Sequence, residues 1–143
     1  MAGGAPIRRA EAGDAGRLSL LAGQLGYSVA EKAARERLAA LERDPGQAVL
    51  VAGRPAVAFL HLKVIDSFLG PRETEIEALV VDEAARSRGV GRALVEEAIR
   101  YARERGCARV RVRSRVERDR AHAFYEREGF SRVKTQLVFL RDL

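Results

Sequence analysis

The feature that most limits the fold is the stretch from Glu73 to Arg105, where a strand enters a glycine-containing loop and then one long helix. Residues 73–81 are rich in β-branched side chains and end in the apolar run Ala78-Leu-Val-Val81, which predicts a strand. From Gly89 to Arg105 the apolar residues recur at helical spacing. Val90, Leu94, Ala98 and Tyr101 lie along one face, and Val95, Ile99 and Ala102 widen it. Glu96–Arg100 and Arg100–Glu104 fall on the outer side as favourable pairs. A strand feeding a helix of this kind implies a layered α/β domain in which helices cover a sheet.

The flanking sequence extends that scheme. Ile7 to Ala10 is a short strand. Asp14 is placed to cap a helix carrying Leu18, Leu21 and Leu25 on one face, stopped at Gly26. A second helix spans Ser28 to Arg43, with Ala34, Leu38 and Leu41 inward and Glu31–Arg35 as an outer pair. Ala48–Ala52 and Ala56–Ile65 form strands joined at Gly53-Arg54, and Asp66 to Arg72 is a loop. Valine and arginine alternate from Cys107 to Ser114, the period of a strand. A short helix from Arg118 to Glu128 stops at Gly129, and Phe130 to Leu140 supplies one or two closing strands. The order predicts a single domain over 1–143, a mixed α/β sheet flanked by about four helices.

Composition narrows the partners. The chain has 143 residues, net charge +6, and only Lys32, Lys63 and Lys134 as lysines. Residues 100–120 hold nine arginines against Glu104, Glu117 and Asp119, a balance that favours anionic partners. No run of ~18 apolar residues offers a membrane span, and Met1 to Pro6 lacks the blocks of a signal peptide. A lone cysteine, Cys107, cannot form an internal disulfide and fits a reducing, cytoplasmic setting. It reads as a small apolar residue rather than a nucleophile. The two histidines, His61 and His122, join no Cys/His/Asp cluster with metal spacing, so no metal is expected. The absence of tryptophan leaves no obvious stacking platform for nucleic acid.

The loop itself carries the chemistry. Amide groups at a helix start have no intrahelical acceptor and bind anions. Glycines 89 and 91 remove Cβ atoms where a phosphate would approach the main chain, and Arg86, Arg88 and Arg92 add charge. The three spaced glycines of a dinucleotide fold and the Gly-Lys-Ser/Thr of a P-loop are both lacking.

Arg86-x-x-Gly89-x-Gly91 after an apolar strand resembles the pyrophosphate-binding motif of the GNAT acetyltransferases. Ala121-His-Ala-Phe-Tyr125 followed by Gly129-Phe130 is similar to the family's second signature, and the order of elements matches from Ile7 onward. The resemblance implies acetyl-CoA as co-substrate, a sheet splayed beside the loop, and a homodimer as the family habit. It implies that Arg86, Ser87, Arg88, Gly89, Val90, Gly91 and Arg92 hold the pyrophosphate. Main-chain groups of Leu79, Val80 and Val81 would line the pantetheine arm, with the Leu79 amide set to hold the acetyl carbonyl. Tyr125 matches the tyrosine that lies near the cofactor sulfur and protonates the departing thiolate. Glu75 and Glu77 flank Ile76 and by strand periodicity share a face, so one is expected to accept the amine's proton and the other to hold the substrate ammonium. Relatives similar to the aminoalkylphosphonate and amino-acid acetyltransferases tend to carry asparagine where this chain has Arg115. The resulting expectation is acetylation of a primary amine on a small molecule. A protein lysine or N-terminus is the alternative acceptor, and a non-catalytic acyl-CoA- or nucleic-acid-binding module is the alternative class.

Overall fold

The computed structural model describes residues 5–143; the expectation for Met1 to Pro6 therefore lies, for residues 1–4, outside the described residues. The chain forms two compact units, one reaching Val112 and one from Arg113 to Leu143. The first holds five strands and three helices: β1 (Ile7–Arg9), α1 (Ala15–Gln24), α2 (Glu31–Glu42), β2 (Gln47–Ala52), β3 (Ala58–Ser67), β4 (Gly70–Val81), α3 (Val90–Glu104) and β5 (Arg109–Val112). Its sheet runs β1-β2-β3-β4-β5. The first four strands pair antiparallel, and β5 adds parallel to β4. The sheet is therefore mixed, as the sequence pattern predicts.

The core follows from the apolar alternation. Leu50, Leu60 and Leu79 stand opposite one another across β2, β3 and β4, and the first two are buried. Val51 and Phe59, neighbours across β2 and β3, pack with Leu18 of α1 and Leu38 of α2. Leu94, Val95, Ala98 and Ala102 form the buried stripe of α3. Its outer pairs are Arg92 with Glu96 at 3.4 Å and Arg100 with Glu97, a different set from the one the spacing suggests. In α2 the ion pair is Lys32–Glu36 at 3.9 Å. Glu31 instead turns toward α1, where a Cβ on Gly16 would sit 2.5 Å from its Oε1.

Asp14 precedes α1 but does not cap it with its side chain. Its carboxylate accepts two hydrogen bonds from Arg8, both 2.8 Å, and a third from the Glu11 amide at 2.8 Å. The pair anchors β1 to the start of α1, and Asp14 is 7% exposed there. The Arg8 guanidinium, outweighing the opposing effect of burial, holds the carboxyl below its usual range. A depressed carboxylate stabilises the fold above its unfolded value near ~3.9 and loses that contribution as pH falls through the lower folded value. Asp14→Ala is expected to lower stability by about 2 kcal/mol at neutral pH, since it strands a half-buried arginine. Urea melts at pH 7 and pH 3 should show the deficit shrinking at the lower pH.

The predicted Asp66–Arg72 loop is shorter than the sequence suggests. Ser67 pairs with Gly70, so Phe68 and Leu69 alone make the turn, and Arg72 bonds Asp66 across it at 2.9 Å. In the second unit, α4 (Asp119–Arg127) ends as expected before Gly129, which adopts φ +94°. The strands expected over Phe130 to Leu140 do not form. Residues 131–143 are exposed and irregular, with Val133, Leu137, Val138, Phe139 and Leu140 each more than 80% accessible. A strand is stable only when a neighbour satisfies its main chain, and no such neighbour pairs with these residues among the described ones. No helix among the described residues is long and apolar enough to cross a membrane.

Candidate active site

The end of β4 is where the sheet opens. The parallel ladder with β5 covers only Glu73↔Arg109 through Ile76↔Val112. Antiparallel pairing with β3 continues to Ala58↔Val81, so residues 77–81 keep one partner strand and lose the other. Beyond Val81 the Asp82 amide donates to the Val57 carbonyl at 2.8 Å. In an antiparallel ladder, residues alternate between groups aimed at the partner and groups aimed away. Counting back from the bonded Asp82–Val57 pair, Val80 addresses β3, whereas Val81 and Leu79 aim their N–H and C=O groups at the open edge. The side chains agree with core packing for Val80, which is 4% exposed. Val80 thus contributes packing, and its main chain is spent on β3. The Leu79 amide is left where an incoming carbonyl could meet it.

A bulge sets the geometry of the two glutamates. Leu62 pairs with Ile76 and His61 with Ala78, which leaves Glu77 as the extra residue of β4. The shared face expected of Glu75 and Glu77 assumed unbroken alternation, and the bulge ends that alternation beside Ile76. Glu75 is 5% exposed and stands in register between Lys63 and Arg111. Glu77 is exposed at the point where β5 ceases to pair. Burying a carboxylate beside two cations makes Glu75 the more constrained of the two. Its neighbour Glu73 is also buried and is held by Arg109 and Arg111, which keep its carboxyl below the usual range.

The β4–α3 loop gathers main-chain and arginine donors at the start of α3. After the 3₁₀ turn Glu83–Ala85, Ser87 takes φ +65° and Gly89 takes φ +81° as the residue capping α3. The first bond of the helix runs from the Ala93 amide to the Gly89 carbonyl at 3.0 Å. The amides of Val90, Gly91 and Arg92 precede it and lack an intrahelical acceptor. Arg86, Arg88 and Arg92 are exposed around this start. Arg86 spends its Nε on the Val81 carbonyl at 3.2 Å, tying the loop back to the strand end while the rest of its guanidinium stays exposed. The donor set, with its positive φ at Gly89, fits a pyrophosphate.

Tyr125 lies in the second unit on α4. Its ring packs edge-on against Phe124 and Phe130, with centroids 5.2 and 5.5 Å away. Burial raises its phenol above the ordinary value, and Arg118 opposes that shift weakly. The hydroxyl is therefore fully protonated at neutral pH, the state a general acid needs. His122 on the same helix approaches the Arg115 carbonyl, Nε2 to O 2.7 Å, and so has a structural partner. His61 likewise meets Gln47 at 2.8 Å, and Cys107 meets Thr74 at 3.2 Å.

The family model for the acetyltransferase (GNAT) family matches residues 18–130. The chain belongs to that family. A mycothiol acetyltransferase of Beutenbergia cavernae is 40% identical over 93 residues, which cover 65% of this chain. The chain spans 28% of the length of that curated relative. Among solved structures, a putative acetyltransferase of Agrobacterium tumefaciens is 29% identical at a TM-score of 0.83, covering 95% of this chain and 99% of that one. A transcriptional regulator of Bacillus halodurans C-125 is 25% identical at a TM-score of 0.84, covering 96% and 99%. The GNAT match includes the loop, both glutamates and Tyr125.

Sequence reasoning did not single out Asp82, at the junction of β4 and the loop. It follows the apolar run directly, and its carboxylate gathers Arg17, Gln24 and the Ala84 amide. An acidic residue between an apolar strand and a glycine-containing loop is the one local signal that could have drawn attention to it.

Proposed function

We propose that this chain transfers the acetyl group of acetyl-CoA to a primary amine of a small molecule, by direct attack within a ternary complex. The observation that carries the proposal is the open end of β4, with the Leu79 amide unpaired by β5, next to the Gly89 start of α3. One element offers a donor for a carbonyl oxygen, and the next offers donors for a pyrophosphate. That combination suits a thioester on a long phosphorylated arm. The name of the mycothiol acetyltransferase relative supports a small-molecule acceptor.

Attack by the neutral amine builds negative charge on the carbonyl oxygen, and the Leu79 N–H stabilises it; one oriented donor contributes ~3 kcal/mol. The amine's excess proton passes to Glu75 or Glu77, directly or through water. The C–S bond breaks as the amide forms, and Tyr125 supplies a proton to the departing sulfur. Arg86, Ser87, Arg88, Gly89, Val90, Gly91 and Arg92 bind the pyrophosphate. The burial of Glu75 beside Lys63 and Arg111 favours it as a fixed carboxylate, and the exposure of Glu77 favours it as the group that meets the acceptor.

Screening amines with acetyl-CoA and following free thiol tests the reading. Turnover with small amines and none with lysine peptides is the expected result. Thiol release only with peptides would move the acceptor to protein, and acetyl-CoA binding without release under any amine would leave a binding module. With a competent amine, Glu77→Gln should raise KM for the amine with kcat largely kept. Glu75→Gln should lower kcat by about 10²-fold, as loss of a general base does. Unchanged pH–rate profiles in both variants would assign deprotonation to water.

A further inference from the structure

We infer that Asp82, clamped by Arg17 and Gln24 of α1, is the positioning device that presets the β4–α3 loop for the pyrophosphate of coenzyme A. This rests on the acetyl-CoA reading above. Asp82 sits at the hinge between the open strand and the loop. Its main chain is fixed on both sides, by its amide to the Val57 carbonyl and by its carbonyl to the Ala85 amide, each 2.8 Å. Its carboxylate accepts from Arg17 Nη2 at 2.8 Å, from Gln24 Nε2 at 3.3 Å and from the Ala84 amide at 3.1 Å. Gln24 acts twice, because its Oε1 also accepts from the Glu83 amide at 3.0 Å. Arg17 in turn is held by the Ala56 carbonyl at 2.8 Å. The helix α1 is thus tied to the start of the loop at three points, once from its first turn through Arg17 and twice from its last turn through Gln24.

Two physical effects give this arrangement a role in binding. Ser87 at φ +65° is not in the conformation a free chain prefers for a residue with a side chain, so outside contacts have to select it. Holding it before the ligand arrives removes an ordering cost from binding. The second effect is charge. A bare carboxylate at the entrance to a phosphate site would repel the ligand; Arg17 neutralises it at 2.8 Å, and the pair leaves the helix start electropositive. Neither Arg17 nor Gln24 needs to touch the ligand for this.

The test compares two acetyl donors with the amine found by the screen. Acetyl-CoA carries the pyrophosphate, and S-acetylpantetheine lacks it. In Gln24→Ala, KM for acetyl-CoA should rise about tenfold, the worth of two ordinary hydrogen bonds, while kcat/KM for S-acetylpantetheine stays at the wild-type value. Gln24→Glu sets a second carboxylate against Asp82 and should weaken CoA binding further, read as Kd by calorimetry. Arg17→Lys, which keeps the charge, should lose less than Arg17→Ala. Equal loss with both donors would make the contacts general scaffolding and overturn the inference. So would unchanged KM for acetyl-CoA in the two Gln24 variants. If the wild-type protein itself fails to bind CoA, the acetyl-CoA reading falls instead, which is a separate result.

Discussion

Gly89→Asp is expected to abolish the stabilisation that acetyl-CoA confers on this protein. At a hundred times its Kd a ligand adds about 2.7 kcal/mol to the folded state, a shift easily seen in a thermal melt. Gly89 holds φ +81° at the N-terminus of α3, beside the Val90, Gly91 and Arg92 amides. Aspartate tolerates the left-handed region better than most residues, so the strain is limited to about 1–2 kcal/mol and the domain should still fold. What it adds is a negative charge where the ligand's own charge is to sit. Gly89→Asn has nearly the same shape without the charge and should keep part of the shift. The two variants together separate crowding from repulsion. A folded Gly89→Asp protein with the wild-type shift would place the phosphates elsewhere and remove the main support for the loop assignment.

How far the sequence revealed this site depends on the range of the interactions involved. The run Ala78 to Val81, the glycines at 89 and 91 and the stripe Val90-Leu94-Ala98-Tyr101 are local patterns, and the structure has the strand, loop and α3 where they indicate. That Leu79 and Val81 aim alike follows from period two, but the edge they aim at is fixed only by the bond from the Asp82 amide to the Val57 carbonyl. The bulge at Glu77 does not follow, because it exists only in the register of β4 against β3. Alternation therefore put Glu75 and Glu77 together, and pairing separated them into a buried and an exposed carboxylate. The Asp82 clamp was hidden for the same reason, since its partners Arg17 and Gln24 lie 65 and 58 residues away in the chain. At the C-terminal end, the apolar residues of Phe130 to Leu140 look like a strand by composition, yet residues 131–143 have no pairing neighbour among the described residues. Composition states what a segment can do. Only a partner decides whether it does so.

Tyr125→Phe should slow acetyl transfer while leaving acetyl-CoA affinity intact, and this variant separates an enzyme from a binding module. The substitution keeps the ring, so the edge-on contacts with Phe124 and Phe130 at 5.2 and 5.5 Å remain and α4 should be undisturbed. It removes one hydroxyl, whose proton burial holds more firmly than an exposed phenol would. General acid catalysis is worth ~10²–10⁴-fold, and the lower end is expected here because a thiolate departs tolerably without a proton. The loss should appear in kcat, with KM for acetyl-CoA held, which is the signature of an interaction made only in the transition state. The pH profile gives an independent check. With the phenol raised above its ordinary ~10, wild-type kcat should stay level through pH 9 on the acid's account, so any fall below that pH belongs to another group. If the variant melts early, the hydroxyl serves the fold. If it turns over at the wild-type rate, the proton reaches sulfur by another route, and the acid assigned to this family position is wrong for this chain.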